Sequence, residues 1–333
     1  MNCKGSVLII VLWSLFFLAM LAVAVSFYVM PYVGLSDTLL DKTKMSALAE
    51  AGVERAIVEV ENDQTEYDCL QDPWSRNEEA FNPADTGNGT FSVIKNGEAA
   101  GEALQYGLRD EESKININRV PQAVLKNLLE TVAKVDAEKA EEIADSIVDW
   151  RDPDDMPEEH GNENDHYHSL PEPYECKNSD FEVPEELLLV AGMTPEIFEK
   201  IEDCITVFGE GTVNINTASD KVLMALGMGS ALATKLVNFR ASGESIAREG
   251  ESPSGIFMDV ASIESLLGQT TSISPEEIVQ LQLALPYLGV TSNCFGGRSI
   301  GLKNTGVPAG RSEQIEFVYD RKDHIVKLWR ERP

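Results

Sequence analysis

Eight acidic side chains are concentrated in one short segment of this 333-residue chain. The same segment contains Asn162 and Asn164 and is interrupted by prolines. Calcium and similar hard cations prefer carboxylate, amide and carbonyl oxygens, which an irregular loop can present at variable spacing. The acidic residues are Asp149, Asp152, Asp154, Asp155, Glu158, Glu159, Glu163 and Asp165.

A solvated acidic loop without any ligand explains the same pattern. The segment lacks the EF-hand motif, because neither the glycine at the sixth position nor the terminal glutamate is in register. His160, His166 and His168 lie beside the acids and could hold zinc, but no HExxH or comparable signature is present. Taken alone, the residues favour a plain acidic loop with ordinary surface histidines and leave a calcium site as the alternative.

A second candidate site is the segment LGMGSALATKLVNFR, in which Gly227-Met228-Gly229 separates two predicted helices. This pattern is similar to a helix-hairpin-helix, which can hold a DNA phosphate against backbone amides, and Lys221, Lys235 and Arg240 lie nearby. The net charge of −29 opposes the approach of a phosphate backbone. The segment also fits plain helix packing of the sterile-alpha-motif type. The chain shows no Ser-His-Asp pattern, P-loop or Rossmann fingerprint, so we expect no enzymatic activity.

The elements that position these segments begin with a membrane span. No charged residue occurs between Lys4 and Asp37, which is long enough to cross a bilayer. A cleaved secretory signal ending near Ala22 or Ala24 would need a shorter apolar run. Because Lys4 is the only charged side chain before the span, we expect a cytoplasmic N-terminus, with the remainder in the periplasm of a bacterium.

The helical pattern continues beyond the span through MSALAEAGVERAIVEVE, so one long helix enters a soluble domain. Strand patterns follow at 91–95 and 104–108, and the segment QIEFVYDRKDHIVKLWR predicts a hairpin. Helical patterns fill the region between. We therefore predict an α+β domain formed by residues 36–113 and 286–333, interrupted by an inserted all-α domain at 114–285.

Two stretches inside the insertion resemble each other, KININRVPQAVLKNLL and TVNINTASDKVLMALG. Each has an Asn-Ile-Asn triplet, a short linker and a helix containing Val-Leu. We expect Asn118 to cap the first helix and Thr217 or Ser219 the second. The insertion is therefore predicted to contain a pair of similar helical units.

Four cysteines follow the membrane span, and an oxidising compartment allows three pairings among them. The predicted domain division favours Cys176 with Cys204, inside the insertion, and Cys69 with Cys294, in the interrupted domain. Buried free thiols are the alternative.

Taken together, these features resemble the minor pseudopilins of bacterial type II secretion systems, specifically the general secretion pathway protein K family. The resemblance is carried by a short leader ending in Gly5, then SVLIIVLW and ALAEAGVERA, and later RDEESKININ, IVDWRDPDD, GNENDHY and VNINTASDKVL. It implies a pilin-like fold, with a long N-terminal helix and an antiparallel sheet, interrupted by sterile-alpha-motif-like or helix-hairpin-helix units.

The resemblance also implies how the chain is processed and used. A prepilin peptidase is expected to remove residues 1–5 by cutting between Gly5 and Ser6 and to methylate the new amino terminus, leaving 6–35 as the membrane part of the helix. The fifth mature position, a glutamate in most pilins, is Ile10 here. This implies a place at the pseudopilus tip, where the chain starts and caps assembly for protein export.

Family resemblance further implies partners and a metal. Two other minor pseudopilins are expected along the N-terminal helix, chiefly on its 39–60 face. Calcium is expected in the inserted region, which reverses the preference for a plain acidic loop. The preferred ligands are Asp152, Asp154 and Glu163, with Asp149, Asp155 and Asp165 as further candidates. The alternative function is a membrane-tethered DNA-binding or DNA-uptake protein that uses the helical hairpin.

Overall fold

The computed structural model describes residues 4–83, 89–95, 104–242, 255–303 and 312–332, apart from the side chains of 4–6 and 31–34. The helices are α1 (Lys4–Glu61), α2 (Glu78–Phe81), α3 (Gln122–Leu128), α4 (Ala137–Arg151), α5 (Asn164–His168), α6 (Pro195–Ile201), α7 (Asp220–Ala225), α8 (Ser230–Ser242), α9 (Ile263–Thr270) and α10 (Pro275–Ala284). The strands are β1 (Thr90–Ile94), β2 (Arg109–Asp110), β3 (Ile115–Asn116), β4 (Ile205–Thr206), β5 (Val213–Asn214), β6 (Leu288–Gly289), β7 (Cys294–Leu302), β8 (Glu313–Asp320) and β9 (Ile325–Arg332).

The long helix α1 has two different environments along its length. Its N-terminal part is apolar and exposed, and it includes a window with a mean hydropathy of 2.9, long enough to cross a membrane. Its C-terminal part packs on the sheet through Ala49, Val53, Ala56 and Val60, all at most 1% exposed. The prediction that one helix joins a membrane segment to a soluble domain fits this arrangement.

The sheet is antiparallel and has the order β1-β7-β8-β9, with β2 also paired to β7. The predicted hairpin is confirmed as β8 and β9. The predicted strand at 104–108 is wrong, because within that range only Tyr106 makes an isolated bridge, to Ile94. The residues that pair with β7 are Arg109 and Asp110, which form β2. Gly52 allows helix α1 to lie close to β7, since a Cβ atom at this position would collide with Ser299. The Ser299 hydroxyl donates to the Ala49 carbonyl at 2.6 Å.

The region between β2 and β7 has a separate hydrophobic core built from its own helices. The prediction that the insertion is all-α is wrong, because the region also contains two short parallel ladders, β3 with β4 and β5 with β6. Each ladder joins the start of a helical unit to its end. The two ends of each unit therefore lie side by side.

The two helical units repeat one set of contacts. In the first, Asn118 donates to the Phe181 carbonyl and accepts from the Phe181 amide, at 2.9 and 2.8 Å. In the second, Asn216 makes the same pair of bonds with Phe257, both at 2.9 Å. The predicted internal repeat is therefore present, with a long-range clamp in each copy.

Each unit also contains an arginine in the last turn of its longest helix, which is α4 in the first unit and α8 in the second. Arg151 donates to the carbonyls of Ile117 and Val120, and Arg240 donates to those of Ile215 and Ala218 at 2.6 and 2.7 Å. Asn118 is thus not the predicted helix cap, because its side chain is committed to Phe181. Ser219 does cap α7, accepting from the Val222 amide at 3.3 Å.

The predicted disulfides are wrong, since all four described cysteines are free and buried. The members of each predicted pair have different neighbours. Cys69 donates to Asp72, whereas Cys294 is paired across the sheet with Asp320. Cys176 donates to the Asp149 carbonyl, and Cys204 lies in the turn that leads into β4.

A buried polar cluster connects the inserted region to the sheet domain. We call it the junction cluster; it comprises Asp68, Asp110, Asn214, Thr217 and Ser292. The Asn214 amide donates to the Asp68 carbonyl, to Asp110 Oδ2 and to Ser292 Oγ, at 3.0, 3.1 and 2.9 Å. Asp110 Oδ2 also accepts from the hydroxyls of Thr217 and Ser292. Burial raises the pKa of Asp110 to about 7.

Arg240→Ala should lower the free energy of unfolding by about 3 kcal/mol, because two buried carbonyls lose a charged donor. Although burial lowers the pKa of Arg240 to about 10, the group stays charged at neutral pH. Thermal unfolding of the full chain in detergent measures the effect. Lys221→Ala is the control: Lys221 is exposed, so its loss should change stability by less than about 0.5 kcal/mol. Equal melting temperatures for the two variants would contradict the structural role of Arg240.

Candidate metal centre

The acidic segment begins at the C-terminal end of α4 and closes at the start of α5. Asp149 lies in the last turn of α4, Asp152 immediately follows the helix, and Glu163 immediately precedes α5. One ligand atom from each of Asp152, Asp154 and Glu163 lies within 4.8 Å of the others. We call these three residues the loop carboxylate group. They are the same three residues that the sequence analysis prefers as calcium ligands.

Several oxygens of this region are buried and have no hydrogen-bond partner. They include Oδ1 of Asp152 and both carboxylate oxygens of Glu163, a residue that is only 6% exposed. Oδ2 of the fully buried Asp149 is also unpartnered, while its Oδ1 accepts from the Glu158 amide at 2.9 Å. Unpaired buried acceptors are costly, so the site is incomplete as a hydrogen-bonded structure.

The electrostatic environment disfavours ionisation of these carboxyls. Burial, together with the charges of Asp149, Asp152 and Asp155, raises the pKa of Glu163 to about 7. Burial is also the main cause that raises the pKa of Asp149 to about 6. Both groups would be easier to ionise if a cation lay between them.

The backbone around the group is held by side chains that the sequence analysis did not single out. Asn178 donates to the Asp154 carbonyl and to Asp155 Oδ1, both at 3.1 Å, while its own Oδ1 is buried without a partner. Asn178 has a φ of 48°, a left-handed conformation that asparagine tolerates better than most residues. A Cβ atom at Gly161 would collide with Asp149 Oδ2, so glycine allows the loop to approach that carboxylate.

An aromatic layer supports the loop from below. The ring of Trp150 packs edge-on against Tyr167 at 5.3 Å and also lies beside Tyr174 and Phe181. The Tyr167 hydroxyl accepts from the Ala191 amide at 3.2 Å, which ties α5 to the following segment. Asp152 and Glu163 therefore lie at the two ends of the loop, next to this packed layer, while Asp154 lies in the exposed stretch between them.

The other predicted residues have different positions. Asp155 contributes to the charge at Glu163, but its Oδ1 accepts from two asparagines, while Asp165 is exposed on α5 outside the loop carboxylate group. His160 lies beside Asp145, with Nδ1 to Oδ2 at 3.5 Å, and the ring of His166 packs on Tyr167. Among the described residues, no grouping of possible metal ligands includes a histidine. This all-oxygen set suits a hard cation such as calcium better than zinc.

Two of the three cations near the hairpin that was considered for DNA binding are engaged elsewhere, while Lys221 is exposed. Lys235 forms an ion pair with Glu277 at 2.6 Å and also donates to the Ser272 carbonyl. Arg240 is 9% exposed and binds two carbonyls of its own unit. These contacts, with the net charge of −29, do not favour the DNA-binding alternative.

The predicted peptidase site lies at the start of α1. Gly5 and Ser6 are within its first turn, and their side chains lie outside those the structure describes, as do residues 1–3 of the predicted leader.

Comparisons with known proteins point to one family. Residues 103–210 match the family model described as type II secretion system (T2SS), protein K. A curated type II secretion system protein K from Pectobacterium carotovorum subsp. carotovorum is 29% identical over 120 residues. That alignment covers 35% of this chain and 36% of the relative, so it spans about a third of each protein.

A solved structure agrees over a much longer range. It is a chain from the crystal structure of the GspK-GspI-GspJ complex of the enterotoxigenic Escherichia coli type 2 secretion system. The match has a TM-score of 0.65 and 19% identity, and it covers 91% of this chain and 99% of the other. At this identity the match shows the fold. The overall arrangement of long helix, sheet and inserted region is therefore shared with that chain.

The raised pKa of Glu163 gives the metal-free protein a pH-dependent stability. Between the ordinary value of 4.5 and about 7, the folded chain binds more protons than the unfolded chain. The contribution of Glu163 to stability is therefore present at low pH and lost as the pH rises through about 7. Thermal unfolding in chelator should show a smaller loss of stability between about pH 5 and 8 for Glu163→Gln than for the parent chain. The control is Glu159→Gln, an exposed acid on the same loop, and an identical pH profile for both variants would contradict the assignment.

Proposed function

We propose that this chain, a member of the type II secretion protein K family, is a membrane-anchored minor pseudopilin with an assembly role and no enzymatic activity. The observation that carries the proposal is the divided character of α1. Its N-terminal part exposes apolar side chains suited to a bilayer, and its C-terminal part forms the core of the sheet domain. A subunit of this shape has its globular part fixed at the membrane surface, which in the proposed orientation is the periplasmic side of the bacterial inner membrane.

Two features support a place at the tip of the pseudopilus, where the chain would start and cap assembly. Ile10 occupies the fifth position after the predicted cleavage, so the helix has no carboxylate there to neutralise the amino terminus of a neighbouring subunit. The second feature is the inserted region, whose own core adds bulk to the globular end. A subunit stacked above would meet that bulk.

The proposed partners are two other minor pseudopilins of the same system, bound along α1. Its face toward the sheet is already occupied, since Met45 and Val53 are buried within the chain. The opposite face exposes the small side chains of Ala47 and Ala51 and the apolar Val58, which is 44% exposed. We therefore place the partner helices on this exposed face, where small side chains allow backbones to approach closely.

Ala51→Glu should abolish co-purification of the full chain with the other minor pseudopilins, because it places a charge in a close helix contact. Ala51 is exposed, so the fold should be unaffected, and an unchanged melting temperature checks this. The matched control is Ala231→Glu, an exposed alanine at the start of α8, which should still co-purify. Equal recovery of partners with both variants would refute the proposed contact face.

Calcium is the proposed ligand of the loop carboxylate group. The support is the unpartnered buried oxygens of Asp152 and Glu163 and the raised pKa of Glu163. Asp149 and the Asn178 side-chain oxygen are additional candidates, because each has a buried oxygen without a partner. The bound ion would neutralise the repulsion among these carboxylates and fix the loop between α4 and α5.

Calcium at 100 times its dissociation constant should raise the free energy of unfolding by about 2.7 kcal/mol. Asp152→Ala combined with Asp154→Ala should remove most of that increase, while Glu159→Gln retains it. Magnesium should substitute poorly because it requires stricter octahedral geometry. Melting curves recorded with calcium and with excess chelator measure the difference. Identical curves for the parent chain would identify the segment as a solvated loop.

A further inference from the structure

A second set of carboxylates lies outside the inserted region, in the loop that follows α1. One ligand atom from each of Asp63, Asp68 and Asp72 lies within 4.8 Å of the others. We call them the α1-loop carboxylate group. The three acids are spread over residues 63–72, and the exposed Glu66 of the same loop is not a member of the group.

Most of the group is removed from solvent. Asp68 is 1% exposed and Asp72 is 8% exposed, and Asp63 is partly buried. Oδ1 of Asp68 and Oδ2 of Asp63 are buried and have no hydrogen-bond partner. An anionic oxygen in this condition carries its full desolvation cost, so two in one small group indicate a missing ligand.

The remaining oxygens explain how the loop holds these carboxylates in place. Asp63 Oδ1 accepts from the amide and hydroxyl of Thr65, at 3.0 and 2.7 Å. Asp72 Oδ2 accepts from the Cys69 amide at 2.7 Å. Asp68 Oδ2 accepts from the Ser292 amide and from Arg321 at 2.7 and 2.9 Å. The loop thus orients the group without using the two orphaned oxygens.

The charges in this group are not balanced. Among the described residues, Arg321 makes the one ion pair with these three carboxylates, and it does so through Asp68. The same guanidinium also donates to the Ser292 carbonyl and lies over the Phe295 ring. Asp110 of the junction cluster adds a further acid next to Asp68. A divalent cation would remove this excess of negative charge.

We propose that Asp63, Asp68 and Asp72 form a second cation site, which binds a divalent cation of the hard, oxygen-preferring class, with calcium as the best fit. Three carboxylates leave positions for carbonyls and water in the six to eight oxygen ligands that calcium takes. A soft metal is disfavoured, because burial raises the pKa of the Cys69 thiol to about 12 and keeps it protonated. The bound ion would fix the end of α1 to the junction cluster, since the Asp68 carbonyl accepts from Asn214.

Calcium uptake by the full chain in detergent, measured by equilibrium dialysis, tests this site independently of the first. The starting variant carries Asp152→Ala and Asp154→Ala, which remove two ligands of the loop carboxylate group. This variant should still bind one calcium per chain, and adding Asp63→Asn or Asp72→Asn should weaken that binding at least tenfold. Asp63 is the least buried of the three acids, and asparagine can still accept from Thr65, so Asp63→Asn should leave the fold intact.

Glu66→Gln, which removes an exposed acid of the same loop, is the matched control and should leave uptake unchanged. The proposal is overturned if the starting variant takes up no calcium, or if Asp63→Asn and Glu66→Gln bind it equally well. Circular dichroism confirms that each variant is folded. Because the loop carboxylate group is disabled in every sample, a failure here leaves the calcium proposal for the insertion untouched.

Discussion

A buried amide lies at the centre of the contact between the inserted region and the sheet domain. The side chain of Asn214 reaches the Asp68 carbonyl, the Asp110 carboxyl and the Ser292 hydroxyl, which lie 146, 104 and 78 residues away along the chain. Each of these polar groups is buried and would be costly if left unpaired. The cluster is satisfied only when the loop after α1, the second helical unit and the start of β7 meet in one arrangement.

Asn214 has a counterpart in the other copy of the internal repeat. Asn116 occupies the equivalent position in the first unit, where its side chain donates to the carbonyls of Phe208 and Gly209 within the insertion. In the second unit the corresponding side chain, Asn214, donates to residues outside the insertion. The two units therefore share a fold and a pair of clamp bonds. The first asparagine of the triplet closes the insertion in the first unit and attaches it to the sheet domain in the second.

Periodicity and composition predicted the elements that depend on local pattern. The long helix, the final hairpin, the interruption of the sheet domain and the repeat all follow from hydrophobic spacing or similarity between short strings. The resemblance to a known family then favoured calcium in the acidic run, within which Asp152, Asp154 and Glu163 were the preferred ligands. The predicted disulfide pairs are not formed. Pairing requires two cysteines to approach each other in the folded chain, and their spacing in the sequence does not determine this. The α1-loop carboxylate group was missed because its acids match no metal-binding motif and converge only when the loop folds against Arg321 and Ser292.

Helix α1 is unbroken from Lys4 to Glu61, and its last four turns supply core residues of the sheet domain. There is consequently no linker between the part suited to the bilayer and the globular part. Because α1 is one continuous helix, a displacement of its membrane part along the axis is carried to the core residues at its other end. A force applied within the bilayer along the helix axis is therefore passed to the sheet domain through the helix itself, with Pro31 as the position at which α1 can bend. The packing of α1 that stabilises the sheet domain therefore also couples that domain mechanically to the membrane part of the chain.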